Sequence, residues 1–455
     1  MPFQPFPLIT DALLWLLVAA LAFYAWYCSR RPHLAAPWRR VFRSKAAAVC
    51  SVVLGCYALV GLADSLHFRA RLESVPGAAT VYSPEVLSVL DLALSHLRER
   101  RERTYSAPLA TRLYAREQMV VDGKPARDFP RLAYGGAHLD DEAGRPRDIA
   151  ARVGLGLACA AFAAVALGVA VRRLQRRRPE VPWRAAGAAL LVVLAIALPV
   201  AFLAQGYHVF GTDKVGQDVL YQALKSIRVS LVLGTLTTLV LLPLGIALGV
   251  MAGYFKGWID DLIQYLYTTL NSIPGVLLIA AAVLMMQVVI DRNADWFATA
   301  AQRADARLLV LCAILGLTSW TGLARLLRGE SLKLSELEYI QAAHAFGVSD
   351  ARVLSRHILP NVAHIVIIAL VMDFSSLVLA EAVLSYVGVG VDPATTSFGT
   401  MINAARLEMG REPIVWWSLA AAFFFMFVLV LAANLLADAV RDGFDPRVRV
   451  GGVPV

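Results

Sequence analysis

The 455-residue sequence is 58% hydrophobic with a mean hydropathy of +0.61, too apolar for a soluble domain of this length, and it falls in the membrane class. Its net charge of +9 would suit a nucleic-acid partner, but the arginines cluster beside apolar runs, where they set orientation, so no nucleic acid is expected. Cys28, Cys50, Cys56, Cys159 and Cys312 lie in or beside those runs without paired metal-ligand spacing. They read as small packing residues, and no metal site is expected.

The first apolar run, about Leu8 to Tyr27, has no Lys or Arg before it and Ser29-Arg30-Arg31 after it. That is the reverse of a signal peptide, and it predicts a span with the N-terminus outside. Residues 28–45 carry Arg30, Arg31, Arg39, Arg40, Arg43 and Lys45 and no acid, which places them inside. A second span, about Ala46 to Leu62, leads out. Residues 64–147 are then polar and of mixed charge, with Pro76-Gly77 and Gly135-Gly136 as turns. The run Arg98-Glu99-Arg100-Arg101-Glu102-Arg103 is expected to be a solvated helix face with Glu99 paired to Arg103. His67 and His138 are too isolated to form a metal pair. A third span, about Ile149 to Val171, ends at Arg172-Arg173 and Arg176-Arg177-Arg178, a second inner basic cluster.

Six further spans follow. The run from about Ala185 to Ala204 leads out to Gly211-Thr212-Asp213-Lys214-Val215-Gly216-Gln217-Asp218, whose Gly and Asp spacing suits a tight surface turn. Val229 to Met251 returns inward. Ile263 to Ile290 leads out with Pro274 expected to kink it, residues 291–307 lie outside, and Leu308 to Leu326 comes back in.

The polar stretch from Glu338 to Asn361 is expected to form two short helices broken at Gly347, which can adopt the left-handed conformation that closes a helix. Ser349 or Asp350 would cap the second helix and Pro360 would end it. Two such helices make a knob for a soluble partner to grip; the alternative is an amphipathic loop that merely joins two spans. The next span, about Ala363 to Val387, contains Asp373 and Glu381. A carboxylate at mid-membrane costs roughly 2.5–3.5 kcal/mol on insertion scales, so it faces protein or a wet cavity. Asp373 therefore either lines a polar pathway or bonds a neighbouring helix, and Glu381 reads as structural. Pro413 to Leu436 is the last span.

Gln341-Ala342-Ala343, Gly347 and Leu359-Pro360, at their spacing here, resemble the EAA loop of bacterial ABC-importer permeases. Arg356-His357-Ile358-Leu359-Pro360-Asn361 resembles the dipeptide, oligopeptide and nickel branch, as do the Gly211–Asp218 segment, Ala380-Glu381-Ala382-Val383-Leu384-Ser385 and the ending Ala437–Arg447. Gln341, His357 and Gln217 depart from commoner residues of that pattern. The resemblance covers roughly 185–450. It implies an all-α polytopic membrane protein of the bacterial inner membrane, with a six-helix type I permease core at 185–450.

Ahead of that core stand two N-terminal helices with a basic cytoplasmic loop (1–63), a periplasmic insertion domain (64–148), and a third extra helix with a basic linker (149–184). Nine crossings place the C-terminus in the cytoplasm and every basic cluster on one side. By resemblance the ATPase-coupling residues are Glu338, Gln341, Ala342, Ala343, Gly347, His357, Leu359 and Pro360. Asp373, Glu381 and Pro274 are candidates for the pathway, and Gly211, Thr212, Asp213, Gly216 and Asp218 form a periplasmic motif.

The sequence contains no Gly-x-x-x-x-Gly-Lys-Ser/Thr phosphate loop, so it is not expected to be an enzyme or to bind ATP and Mg itself. Those belong to partner ATPases. The resemblance implies a second permease subunit in a heterodimer, two cytoplasmic ATPases, a periplasmic substrate-binding protein, surrounding membrane lipid, and a peptide or similar small solute as cargo. Two other classes account for less of the sequence. A proton-coupled secondary transporter would use Asp373 and Glu381 as carriers and leaves the EAA-like loop unexplained. A membrane sensor or scaffold would bind its ligand on 64–147.

Overall fold

A computed structural model of the chain describes residues 3–72, 82–121 and 124–444. Strand β1 (Phe3–Pro5) precedes helices α1 (Ile9–Ser29), α2 (Pro32–Val41) and α3 (Lys45–Asp64). The stretch that follows holds β2 (His67–Ala70), β3 (Leu87–Ser88), α4 (Val89–Ala93), α5 (Ser95–Glu99), β4 (Glu117–Val121) and β5 (Lys124–Asp128). Next come α6 (Arg145–Arg177), α7 (Trp183–Ala204), α8 (Val219–Phe255), α9 (Gly257–Ser272), α10 (Gly275–Arg292) and α11 (Ala300–Ser335). The chain continues through α12 (Glu338–Ala345), α13 (Asp350–Val353), α14 (Leu359–Val387), α15 (Phe398–Glu408) and α16 (Trp417–Phe444).

Among the described residues nine helices are long and apolar enough to cross a membrane, one for each expected span. Their outer faces carry bare apolar side chains: Phe162 is 81% exposed, and Leu16, Phe23, Val165 and Ile196 are exposed as well. Each would forfeit about 1.5–3 kcal/mol of burial if it faced water. Hydrocarbon removes that cost, so composition and exposed surface agree on a multi-pass membrane protein.

The sixth expected span is where the structure differs. The sequence predicts one helix kinked at Pro274. Instead α9 stops at Ser272, Ile273 is extended (φ −93°, ψ 132°), and α10 restarts at Gly275. The proline ring disfavours the helical region for the residue before it, so the chain breaks where a kink was expected. Only α10 of this pair qualifies as a crossing helix. The expected Pro76-Gly77 turn and the Asp445-Pro446-Arg447 end of the C-terminal motif lie outside the described residues.

The backbone divides into two compact units, each assembled from separated parts of the chain. The first comprises the described residues of Met1–Pro7, Phe42–Ser230 and Pro393–Ala432. In it α3 and α6 both pack on α7. A Cβ at Gly156 would meet the Pro199 backbone at 2.5 Å, so the α6–α7 hairpin is drawn close by a missing side chain. The described residues of 64–148 contribute β2 and β3 to an antiparallel sheet in the order β1-β2-β3 and form the hairpin β4–β5, with the short helices α4 and α5 between them in sequence.

The second unit comprises the described residues of Leu8–Val41, Leu231–Asp392 and Ala433–Val455. Here α1 packs on α11, with the Thr10 backbone N–H donating to Asp305 Oδ2 (3.1 Å) and the Thr10 hydroxyl to the other oxygen. Helices α8 and α11 approach closely along Gly245, Gly249 and Gly253. A Cβ on these would meet Leu323 Cδ2 at 2.8 Å, the Ala324 carbonyl oxygen at 2.6 Å and the Arg328 carbonyl oxygen at 2.5 Å. Four-residue spacing puts the three glycines on one helical face, where small residues let two backbones approach.

Candidate coupling surface

The stretch after α11 forms two short helices, as its residues predict. Helix α12 ends in a Schellman motif: the Val348 N–H donates to the Ala343 carbonyl (3.0 Å) and the Gly347 N–H to that of His344 (2.9 Å), with Gly347 at φ +71°. Ser349 is the extended residue that starts α13, yet its hydroxyl makes no capping bond. Pro360 does not end the second helix. One turn of π-helix, Leu354–Ile358, carries the chain straight into α14, and Pro360 sits in the first turn of that helix. A proline there needs no N–H partner, so it starts the span.

The root of this knob is apolar. Ile340, Val353, Ile358 and Val362 are fully buried in a cluster with Leu241, Val250, Tyr254, Trp320, Leu323 and Leu327. Its outer side is bare: Phe346 is 87% exposed and Tyr339 about half. Of the residues singled out from sequence, Glu338, Gln341, Ala342, Gly347, Leu359 and Pro360 are exposed, whereas Ala343 and His357 are half-buried. Gln341 Nε2 donates to the Glu336 carbonyl (3.3 Å), and Asn361 Nδ2 donates to the Tyr339 hydroxyl (3.2 Å). Beside the knob, Arg328 forks onto Asp260 at 2.6 and 2.7 Å, and Lys256 pairs with Glu336. The fork lowers the Asp260 carboxyl below the usual carboxylate range, against an opposing push from burial.

The other candidates separate. On α14, Glu381 is buried and accepts the Ser385 hydroxyl (2.7 Å), while Asp373 is half-buried. Eight residues of helix, about 12 Å along the axis, lie between them, so they do not meet. Pro274 is exposed at the α9–α10 break.

The Gly211–Asp218 segment forms a tight loop closed over by residues of the added segment. Thr212 Oγ1 donates to the Thr104 carbonyl (2.9 Å) and accepts the Ser106 N–H (2.7 Å). Asp213 accepts the Val215 and Gln217 N–H groups. Gly216 is at φ +74°, and a Cβ there would lie 1.8 Å from the Glu102 carbonyl oxygen. The Trp417 indole donates to the Thr212 carbonyl (2.9 Å).

The charge run at 98–103 is correspondingly not one helix face and is only partly solvated: Glu99, Arg101 and Arg103 are exposed and Glu102 is not. Helix α5 ends at Glu99, Arg103 pairs with Glu117 (3.5 Å) in place of Glu99, and Glu102 is buried. Glu102 accepts the N–H groups of Ala133 (2.8 Å), Tyr134 (2.8 Å) and Gly135 (3.0 Å) and faces His208 Nε2 at 3.4 Å. The other His208 nitrogen donates to Asp218 (2.7 Å). Burial pushes the Glu102 carboxyl up, but the His208 contact and the three N–H donors outweigh it and bring it down to about 2. Burial likewise pushes His208 down, and its two carboxylates prevail, raising it to about 9. The residue pattern gave no sign of Glu102, which sits among exposed arginines, or of His208. The glycines at 245, 249 and 253 are also absent from the sequence-based expectations, although their four-residue spacing is a signal that could have found them.

Residues 245–450 match the family described as binding-protein-dependent transport system inner membrane component. The glutathione transport system permease protein GsiD of Pectobacterium atrosepticum is 32% identical over 297 residues, covering 61% of this chain and 90% of that protein. The oligopeptide transport system permease protein OppC of Mycobacterium tuberculosis is 32% identical over 294 residues, covering 61% and 94%. A solved inward-facing MetNI methionine ABC transporter chain aligns with 49% of this chain and 97% of its own length at 15% identity, with a TM-score of 0.36.

The chain therefore belongs to the binding-protein-dependent inner-membrane permeases. It is a multi-pass permease subunit of an ABC importer, in the peptide branch, and such a subunit works with ATPase and substrate-binding-protein partners.

Proposed function

We propose that the Glu338–Pro360 knob is where this permease receives the motion of a cytoplasmic ATPase. Glu338, Gln341, Ala342, Ala343, Gly347, His357, Leu359 and Pro360 form or shape the docking surface. The observation that carries this reading is the division of the knob into a buried root and a bare tip. Ile340, Val353, Ile358 and Val362 bind it to the spans, while Phe346 and Tyr339 present apolar surface outward. Surface apolar groups that a monomer leaves open mark a partner's place.

The N-terminus lies outside and the C-terminus in the cytoplasm, with the basic loops on the cytoplasmic side. A second, related permease completes the pathway as a heterodimer above two ATPases, which hold the ATP and Mg; this chain binds neither. Asp373 and Glu381 on α14, with Pro274 at the α9–α10 break, line or shape the passage. Residues 64–148 stand in the periplasm over the Gly211–Asp218 loop, where they brace it for contact with the binding protein. The cargo is a small peptide: the two relatives are named for glutathione and oligopeptide transport. ATP binding would close the ATPase pair and turn an inward-facing cavity outward, and hydrolysis would reset it.

The experiment is to purify the tagged chain from its own host in mild detergent and identify its companions. A second permease and ATPases bearing phosphate loops are expected. A chain that purifies alone, or with signalling proteins, would overturn the reading.

A further inference from the structure

The break at Gly347 poses a mechanical question. Nothing lies within 4 Å of where its Cβ would be, so the break itself is unpacked, and the two halves meet through the buried apolar root at Ile340 and Val353. Apolar contact is non-directional, so a force applied at the bare tip is passed on without bending the break only if a directional tie joins its halves.

Tyr254 makes that tie. It is the penultimate residue of α8, nearly fully buried, and its hydroxyl donates to Asp350 Oδ1 (2.7 Å) at the start of α13. His344 Nε2, near the end of α12, lies 3.0 Å from the same hydroxyl. With the phenol proton committed to the carboxylate, the imidazole N–H is the donor in that second bond. The two rings also stack, with centroids 5.7 Å apart and planes inclined by 26°. His344 Nδ1 stands 3.8 Å from Asp350 Oδ1, closing the triangle. One phenol thus joins three elements, with a contact on each side of Gly347. The helix that carries it is held close to α11 by the Gly245, Gly249 and Gly253 stripe, which runs back from the residue just before Tyr254.

We infer that Tyr254 is a positioning residue that clips the two halves of the knob to each other and to α8, so that displacement of the tip moves the α8–α11 pair as one body. The inference rests on the reading of 338–360 as the coupling surface. Without the clip, α8 would follow the tip only through its apolar contacts with the root and its close packing on α11, with no directional bond to either half of the knob. Asp350 and His344 serve the clip by presenting an acceptor and a donor to one oxygen.

The test uses the complex as it purifies, in lipid nanodiscs, by hydrogen-exchange mass spectrometry with and without MgATP and orthovanadate. In the wild type, exchange at 343–353 and at 250–256 is expected to change together on vanadate trapping. Tyr254→Phe keeps the ring and removes the bonds. It should raise exchange at 344–350 by about tenfold, the scale of one lost hydrogen bond. It should also abolish the response at 250–256 while ATP hydrolysis continues.

Asp350→Ala should behave likewise, and Asp350→Asn, which retains an acceptor oxygen, should stay near wild type. A response at 250–256 unchanged in Tyr254→Phe would overturn the clip, as would an Asn variant as defective as the Ala variant. Failure of any ATPase to accompany the wild type would overturn the coupling reading instead. Exchange at 344–350 in the isolated chain would still judge the clip.

Discussion

His208 Nδ1 donates to Asp218 Oδ2 across 2.7 Å, with both side chains almost entirely buried, while the opposite ring nitrogen faces Glu102. A histidine held between two carboxylates is charged at neutral pH, and it joins the added segment to the loop before α8. Its affinity for protons is raised from 6.5 to about 9. The stabilisation it provides is therefore complete below pH 6.5 and is lost as pH rises through 9. Glu102 is lowered from 4.5 to about 2, so its contribution is complete above pH 4.5 and is lost as pH falls through 2. The added segment should be held most firmly between about pH 4.5 and 6.5. Limited proteolysis of residues 64–148 across pH should show least cleavage there, rising above pH 9, with the alkaline rise absent in His208→Gln. Glu102→Ala leaves His208 its Asp218 partner but takes the acceptor from the Ala133, Tyr134 and Gly135 N–H groups; it should cost about 1–3 kcal/mol and raise cleavage of the segment across the pH range.

Two glycines with nearly the same backbone angle should fail differently. Gly216 is at φ +74° against the Glu102 carbonyl, and Gly347 is at φ +71° with open space around it. Gly216→Ala must push neighbouring backbone aside, so the chain should lose thermal stability in detergent. Gly347→Val meets only the backbone penalty of a branched residue at positive φ, about 1–3 kcal/mol. It should insert and assemble normally but hydrolyse ATP without transport. Equal effects on melting and on transport in both variants would show that the surroundings do not matter.

The spans were legible because length and apolarity alone decide a membrane crossing, and the arginine clusters mark their ends. The two-helix knob was legible because Gly347 sits where helix formers stop. Prolines misled in both directions. At Pro274 the pattern predicts a kink although the helical region is disfavoured for Ile273 before it, and at Pro360 it predicts a stop although that proline falls where a helix tolerates one. Both errors are local, within a turn of the expected position. The added segment was not legible, because its organisation depends on partners distant in sequence. Glu102 is satisfied by backbone more than thirty residues away, and no local pattern distinguishes it from Glu99, three positions earlier.

The contact between α8 and α11 depends on bare backbone. A valine at Gly249 would thrust its Cβ to 2.6 Å from the Ala324 carbonyl and 3.0 Å from Leu327 Cβ. The helices would have to separate, at a cost of about 1–3 kcal/mol or more. Gly249→Val should lower the melting temperature of the detergent-solubilised chain, whereas Gly329→Ala on α11, where nothing lies within 4 Å, should leave it unchanged or slightly raised by the gain in helix propensity. Differential scanning fluorimetry decides between them, and equal melting temperatures would remove the stripe as the basis of packing.

Arg328 and Asp260 offer a test of geometry as distinct from charge. The guanidinium reaches both carboxylate oxygens of Asp260, which also accepts Gln264 Nε2 (2.9 Å), so the start of α9 is fixed to α11 by a planar fork. Lysine at 328 keeps the charge but presents a single point donor that cannot span the two oxygens. Arg328→Lys should therefore lose part of what Arg328→Ala loses, and Asp260→Asn should fall between them because it retains one acceptor oxygen. The measurement is uptake of a labelled small peptide by the reconstituted importer, normalised to ATP hydrolysed. If the lysine variant transports as well as the arginine parent, charge alone suffices and the fork has no part in holding α9 beside the knob. If it loses transport while hydrolysis persists, the orientation of α9 is the quantity the pair controls, and the knob needs that helix in register to pass its motion on.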